Sequence, residues 1–176
     1  FPIRLDTDVS ILHYPQKPIV RSFIYDTVPF YPAGQNMVVA VMPFEGYNVE
    51  DAIILNKASV DRGLARSTYF RPYTSTELHY TGGLKDEITI PAKDVSGYRT
   101  EKNYQYLEED GIVSPESVLD GGDVVIGKTS PPKFLSEMGE ISIAKSRKEN
   151  SIIVRQEEKG TIDGIFITAD SEGNKV

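Results

Sequence analysis

The stretch "EGYNVEDAIILN", Glu45 to Asn56, sets two acids side by side directly before the apolar run Ala52-Ile53-Ile54-Leu55. Carboxylates are hard oxygen ligands, and magnesium is often held by one or two of them together with substrate phosphates. Neighbouring residues of a regular strand point to opposite faces, so Glu50 and Asp51 can serve one ion only where the backbone turns. On that geometry Asp51 is the closer ligand, directly or through a water, and Glu50 the more distant one. Two solvated acids at a loop end would give the same pattern. Against that, a charge pressed against a buried strand costs free energy unless something compensates it.

Other residue types could also do chemistry. Arg62, Arg66 and Arg71 could grip phosphates with the bidentate fork of the guanidinium. Ordinary surface charges, some paired with Asp61, are the simpler account of them. The run "KSRK", Lys145 to Lys148, is short and reads as a solvated loop. Tyr14, Tyr25, Tyr31, Tyr47, Tyr69 and Tyr73 could stack on bases. In a chain with no Trp, the simpler reading is core filling with the hydroxyl reaching water. His13 and His79 have no partner spacing and take no role. The stretches "TGGLKD" and "DGGDVVIGK" are turns, since neither has the spacing of a phosphate-cradling loop.

Composition narrows the classes. The 176 residues suffice for one domain or two small ones, and 39% hydrophobic with 26% charged residues suits a globular chain. No apolar run approaches the ~20 residues of a membrane helix, and Pro2 and Arg4 interrupt the place of a signal peptide's apolar region. No initiator Met opens the chain, so a piece of a longer polypeptide is expected. With no Cys and two His, disulfides, thiolate zinc and histidine-rich metal sites are excluded. Net charge is -7, which argues against a general nucleic-acid binder. The charge is uneven: residues 1–76 balance seven basic against seven acidic groups, while residues 77–176 hold 12 against 19. That shift marks a candidate module boundary.

The elements that must position the acids follow from local pattern. "HYPQKPIV" reads as extended chain because Pro15 and Pro18 forbid a helix interior. "FYPAGQN" and "FEGYN" read as turns. Met37 to Met42 and Ala52 to Leu55 read as two buried strands flanking the acids. Asn56 is placed to cap a short helix over "KASVDRGL" that Gly63 stops. "RSTYFRPY" and Glu87 to Ile90 alternate as strands. Tyr98 to Glu109 carries the best helical period, with Gly111 after it as a stop. "GDVVIGK", "SIIVRQ" and "GTIDGIFITAD" read as strands. Residues 129–150, opened by Pro131-Pro132 and rich in charge, read as a long mobile loop. The expected class is mainly β with a few short helices.

Three long stretches carry a specific likeness: "RLDTDVSILHYPQKP", "PAGQNMVVAVMPFEGYNVEDAIILNKASVDRGLARS" and "YLEEDGIVSPESVLDGGDVVIGKTSPP". Together, in order and over nearly the whole chain, they closely resemble the second-largest subunit of multi-subunit DNA-directed RNA polymerases, in wording most like the archaeal B subunit. The resemblance implies a barrel-like mixed β domain fragment, with residues 1–66 part of the hybrid-binding domain and residues 67–176 the wall, called the flap in bacteria.

The resemblance also implies a role for the acids. The Glu-Asp pair after "GYN", here Glu50 and Asp51, would help position the second magnesium (Mg2+), which arrives with the nucleoside triphosphate. The site would be completed by the largest subunit, which carries the main metal-binding aspartates. Candidate nucleic-acid contacts are Lys57, Arg62 and Arg66, although bacterial relatives lack the "NKASVDRG" wording that carries the first two. Implied partners are the other polymerase subunits, the DNA template, the RNA–DNA hybrid, and transcription initiation factor B at the wall. The implied setting is the cytoplasm, with no membrane. The implied activity is nucleotidyl transfer in transcription, absent from the isolated piece. The alternatives are a β-rich interaction module without catalytic residues and a free-standing metal-dependent phosphodiesterase. The latter needs several convergent acids or histidines on one chain.

Overall fold

Thr, Tyr and Phe in alternation favour a pleated, half-covered backbone. The computed structural model, which describes residues 6–28, 31–132 and 147–176, has a strand at that pattern. This strand, β2 (Ser67–Phe70), pairs antiparallel with β1 (Val9–Leu12), with Val9 opposite Phe70 and Leu12 opposite Ser67. The His13 amide extends the ribbon by donating to the Arg66 carbonyl at 3.0 Å, and the His13 ring meets the Thr68 hydroxyl at 2.7 Å. His13 is thus a structural residue.

Two short helices follow from their caps. Ser22 opens α1 (Phe23–Thr27), a helix that the residue pattern does not announce. Asn56 opens α2 (Lys57–Asp61) as expected, its side-chain oxygen accepting from the Ser59 amide at 3.1 Å. Gly63 lies just beyond with φ +102, and a Cβ there would come within 2.8 Å of the Tyr14 ring.

The chain divides into two compact units between Pro72 and Tyr73, so Ser67–Phe70 go with the first unit, where their strand partner lies. Tyr73 to Thr76 carry no charge, so the counted asymmetry is that of the units themselves: the first balances and the second holds the whole excess of -7.

The second unit is built from small antiparallel sheets. β3 (Glu87–Ile88), β6 (Lys128–Ser130) and β7 (Lys148–Glu149) form one, in that spatial order. β4 (Val118–Leu119) pairs with β9 (Gly160–Thr161), and β5 (Val124–Ile126) with β8 (Ile152–Ile153). Val113, Leu119, Val125 and Val154 form the buried core, with Tyr73, Tyr106, Leu107, Ile126 and Ile162 packed against it. Burial of each core side chain contributes about 1.5–3 kcal/mol. The architecture is mainly β with short helices, and the described sheets do not close into a barrel.

Several expectations are corrected here. The helix over Tyr98 to Glu109 reduces to one 3-10 turn, Glu101–Tyr104. Tertiary contacts override the period: Tyr104 is buried and stacks on Tyr98 at 5.1 Å between centroids. Downstream, the Glu108 amide donates to Ile112 and the Ser114 amide to Tyr106, which reverses the chain where a helix would have run on. The loop expected over residues 129–150 begins and ends in paired strands. Arg147 donates to both the hydroxyl and the carbonyl of Thr129 at 2.9 Å, so it is a clamp and no solvated charge. Residues 133–146, with Lys145 and Ser146, lie outside the described residues. "FYPAGQN" forms no regular turn among its described residues.

Gly111 shows how tightly this unit is packed. Its φ is +78, and an added Cβ would stand 2.6 Å from the Thr89 Cα. Gly127 donates to the Gly111 carbonyl at 2.7 Å and accepts from Thr89 at 3.0 Å, so the crowding is backbone on backbone and cannot relax by a rotamer change. Gly111→Ala is expected to lower the stability of the second unit by about 2–4 kcal/mol, from left-handed strain and overpacking together. Urea unfolding of the variant checks this, and an unchanged midpoint would contradict the packing.

Candidate functional site

The turn before the acids is tied by Asn48. Its side-chain oxygen accepts from the Phe44 amide at 2.9 Å, and its amide group donates to the Met42 carbonyl at 2.7 Å. Tyr47 donates to Phe44 and Val49 to Gly46 inside the loop. Three residues here take left-handed backbone: Glu45 at φ +49, Gly46 at +78 and Glu50 at +60. For a glutamate this conformation is uncommon. It breaks the strand alternation, so the backbone does turn between Glu50 and Asp51. That is the condition for both carboxylates to serve one ion.

Both acids are exposed, and no ion pair among the described residues uses either. Two unengaged hard oxygen donors fit magnesium chemistry. No cluster of three or more His, Asp or Glu among the described residues could hold a metal, so the pair is at most part of a site.

The flanking strands are corrected. Met37 to Met42 and Ala52 to Leu55 form no strand and are exposed throughout. Every buried hydrophobic residue of the described chain lies in the second unit. The desolvation argument for the acids therefore fails in this segment, because no buried strand presses on them. The tyrosine reading fails in part as well: Tyr14, Tyr31, Tyr47 and Tyr69 are exposed, while Tyr25 and Tyr73 are half-buried.

The basic candidates cluster on α2 and its exit. Lys57 is its first residue and Arg62 its C-cap, both exposed. Arg62 lines a shallow pocket of about 230 Å³ with Tyr14, Gln16, Gln35, Asn36, Ser59, Gly63 and Leu64. Arg66 donates to the Asp61 carbonyl at 3.5 Å. Arg71 is committed to structure: it pairs with Asp8 at 4.0 Å and donates to the Tyr69 hydroxyl at 2.5 Å.

Two amides that sequence reasoning overlooked position this region. Asn36 accepts from the Ile19 amide and donates from its side chain to the Lys17 carbonyl, while its own backbone amide donates to Gln16. Gln35 donates to the Tyr14 carbonyl and accepts from the Ala65 amide. Together they lash "PAGQN" to the proline-punctuated opening and to the end of α2. No local pattern announces these bonds, because each amide reaches a residue far along the chain.

The second unit hides a charged centre that sequence reasoning also missed. Asp86 is fully buried and Lys128 nearly so, and they pair at 2.8 Å. Lys128 Nζ also donates to the Thr76 carbonyl at 2.8 Å. The Tyr80 hydroxyl and the Leu78 amide donate to the same carboxylate. Burial pushes the Asp86 carboxyl up, but hydrogen bonds from Lys128 and Ser130, the Lys128 charge and the Tyr80 bond together outweigh it, leaving the group below the usual carboxylate range. Burial, then the bond to Asp86, pushes the Tyr80 hydroxyl up. His79 is exposed and sits in a bridge with Lys85.

With this geometry in hand, comparison with known proteins is specific. The family described as RNA polymerase Rpb2, domain 6, matches residues 1–176. The chain is 46% identical over 178 residues to DNA-directed RNA polymerase subunit Rpo2 of Saccharolobus solfataricus, covering 100% of this chain and 16% of that relative. The Rpo2 of Sulfolobus acidocaldarius is 45% identical, with the same coverage. DNA-directed RNA polymerase II subunit RPB2 of Schizosaccharomyces pombe is 38% identical, covering 99% of this chain and 15% of that relative. The chain thus spans about a sixth of the length of these relatives.

Proposed function

Because the chain belongs to the family of second-largest subunits of DNA-directed RNA polymerases, we propose that it contributes to the polymerase active centre and guides the RNA–DNA hybrid. The observation that carries this is the family match over residues 1–176, with the Glu50–Asp51 pair exposed on a left-handed turn. Residues 1–66 take the hybrid-binding role and residues 67–176 the wall.

Asp51, with Glu50 behind it, would hold the magnesium that enters with the nucleoside triphosphate. That ion, when bound, supplies positive charge to the oxygens of the leaving pyrophosphate. The role of the two carboxylates is to fix its position from one side, while the largest subunit and the triphosphate supply the other ligands. Lys57, Arg62 and Arg66, gathered on α2 and its exit, would face the nucleic-acid backbone. Partners on this reading are the largest subunit and the other polymerase subunits, template DNA, and initiation factor B at the wall. Among the described residues no helix is long and apolar enough to cross a membrane, and the proposed setting is the cytoplasm.

Purified alone, the 176 residues are expected to make no RNA on a template and to hydrolyse no phosphodiester with magnesium or manganese. A Saccharolobus subunit carrying these residues in place of its matching stretch, reconstituted with its partners, is expected to synthesise RNA. Hydrolysis by the chain alone, or a folded, assembled chimera without synthesis, would overturn the proposal. The competing reading, an interaction module with no share in the active centre, draws on the lack of a third metal ligand among the described residues. It predicts that the chimera keeps its full rate when Asp51 is removed.

A further inference from the structure

The pocket beside α2 has a one-sided chemistry. Gln16, Gln35, Asn36 and Arg62 line it with Tyr14 and Ser59, and no carboxylate does. The side-chain oxygens of the three amides are all spent inside the first unit: that of Gln16 accepts from the Asn36 amide, that of Gln35 from Ala65, and that of Asn36 from Ile19. Gln35 and Asn36 spend their NH2 groups too, on the Tyr14 and Lys17 carbonyls. What stays unspent donates. Among the described residues no hydrogen bond or ion pair uses the Arg62 guanidinium, the Gln16 NH2 group or the Ser59 hydroxyl. A guanidinium is donor-only and pairs best with an anion that only accepts. At about 230 Å³ the pocket falls below the ~300–1,000 Å³ that encloses a whole small-molecule ligand, so it fits one anionic group and no complete nucleotide. One wall is fixed: Gly63 is buried at φ +102 with no room for a Cβ beside the Tyr14 ring.

We propose that Arg62, Gln16 and Ser59 form a socket for one phosphate of the nucleic-acid backbone, set in place by the Gln35 and Asn36 lashings. The socket rests on the function proposed above and sharpens it. Lys57 and Arg66 do not line the pocket, and Arg66 is turned to the Asp61 carbonyl. Arg62 is therefore the one cation of the three that the fold places in a prepared recess, and two neutral donors join it. Arg, Gln and Ser side chains are the usual holders of backbone phosphates, and such contacts fix register without reading sequence. Three separate donor groups suit the several oxygens of a phosphodiester better than the two of a carboxylate on a partner subunit. The lashings matter because donors placed before the ligand arrives leave less ordering to be done on binding.

The test is binding of a preformed RNA–DNA hybrid scaffold to the reconstituted chimera, measured across salt. Arg62→Ala is expected to weaken binding about 10–100-fold and to lower the slope of log affinity against log salt by about 0.7–0.9, the signature of one lost phosphate contact. Arg62→Lys keeps the charge and so the slope, while losing the fork and part of the affinity. Gln16→Glu keeps the oxygen that the Asn36 amide bonds and turns the donor into an acceptor, so it should weaken binding about 10-fold or more. Scaffolds with a single neutral methylphosphonate, moved one linkage at a time, locate the contact. One linkage should matter in the wild type and cease to matter in Arg62→Ala. An unchanged slope in Arg62→Ala, or the same linkage profile in both enzymes, would overturn the socket. So would loss of a subunit from the Arg62→Ala enzyme with hybrid binding per intact enzyme unchanged, which indicates a partner's carboxylate in the pocket. A wild-type chimera that assembles and makes no RNA overturns the proposed function and the socket with it, whereas one that makes RNA without these effects overturns the socket alone.

Discussion

Asp86→Ala is expected to lower the stability of the second unit by about 3–5 kcal/mol, the usual cost of leaving one member of a buried ion pair uncompensated. Lys128 is nearly buried and, among the described residues, would keep only the Thr76 carbonyl. The Tyr80 hydroxyl and the Leu78 amide would lose their acceptor as well. Asp86→Asn keeps an oxygen for one of these donors but still strands the ammonium, so it should fall between Ala and wild type. Removing both partners together should cost less than the two single changes added, because neither charge is then orphaned.

The pair also sets a pH dependence. The folded Asp86 carboxyl lies below its unfolded value, so its contribution is complete above the unfolded carboxylate range near ~3.9 and is lost as pH falls through the folded value. Acid should therefore weaken the second unit below about pH 4, and Asp86→Asn should flatten that slope. Urea unfolding across pH, followed at the amides of β3 and β6, reads both effects. A midpoint unmoved by Asp86→Ala would show that the pair contributes nothing.

In the assembled enzyme, Asp51→Ala is expected to slow nucleotide addition at limiting nucleotide by about 10–100-fold, and to raise the magnesium concentration needed. The physical reason is charge: the leaving pyrophosphate becomes more negative, and a carboxylate that holds its counter-ion in place acts where that charge develops. Folding should survive, because Asp51 is exposed and its removal opens no cavity. Glu50→Ala should slow the reaction less if Asp51 is the closer ligand. Glu50→Gly separates side chain from backbone, since Gly accepts the +60 φ without strain and deletes only the carboxylate. Magnesium titrations of wild type and the three variants at limiting nucleotide decide it. Identical rates and identical magnesium dependence would make the pair structural.

What the sequence determined by itself was local chemistry and kinship. Asn56 caps α2, and the turn in "FEGYN" falls where its glycine allows it, with Gly46 in left-handed backbone. The alternating β2 and the glycine-bounded β5 stand where their patterns put them. Each of these depends on residues a few positions away, so a short window holds the whole cause. The long motifs likewise carried the polymerase family, because kinship is written in order and spacing. Tertiary structure alone decided the rest. The period over Tyr98 to Glu109 yielded to burial of Tyr104 and to the chain reversal that follows it. The Gln35 and Asn36 lashings and the Asp86–Lys128 pair join residues far apart in the chain, and nothing near any of them names the partner. The valines from Met37 to Met42 show the limit most plainly. Apolar residues in a row state that a segment needs cover, but which atoms provide it is a property of the surrounding fold, and in these residues the valines stand uncovered.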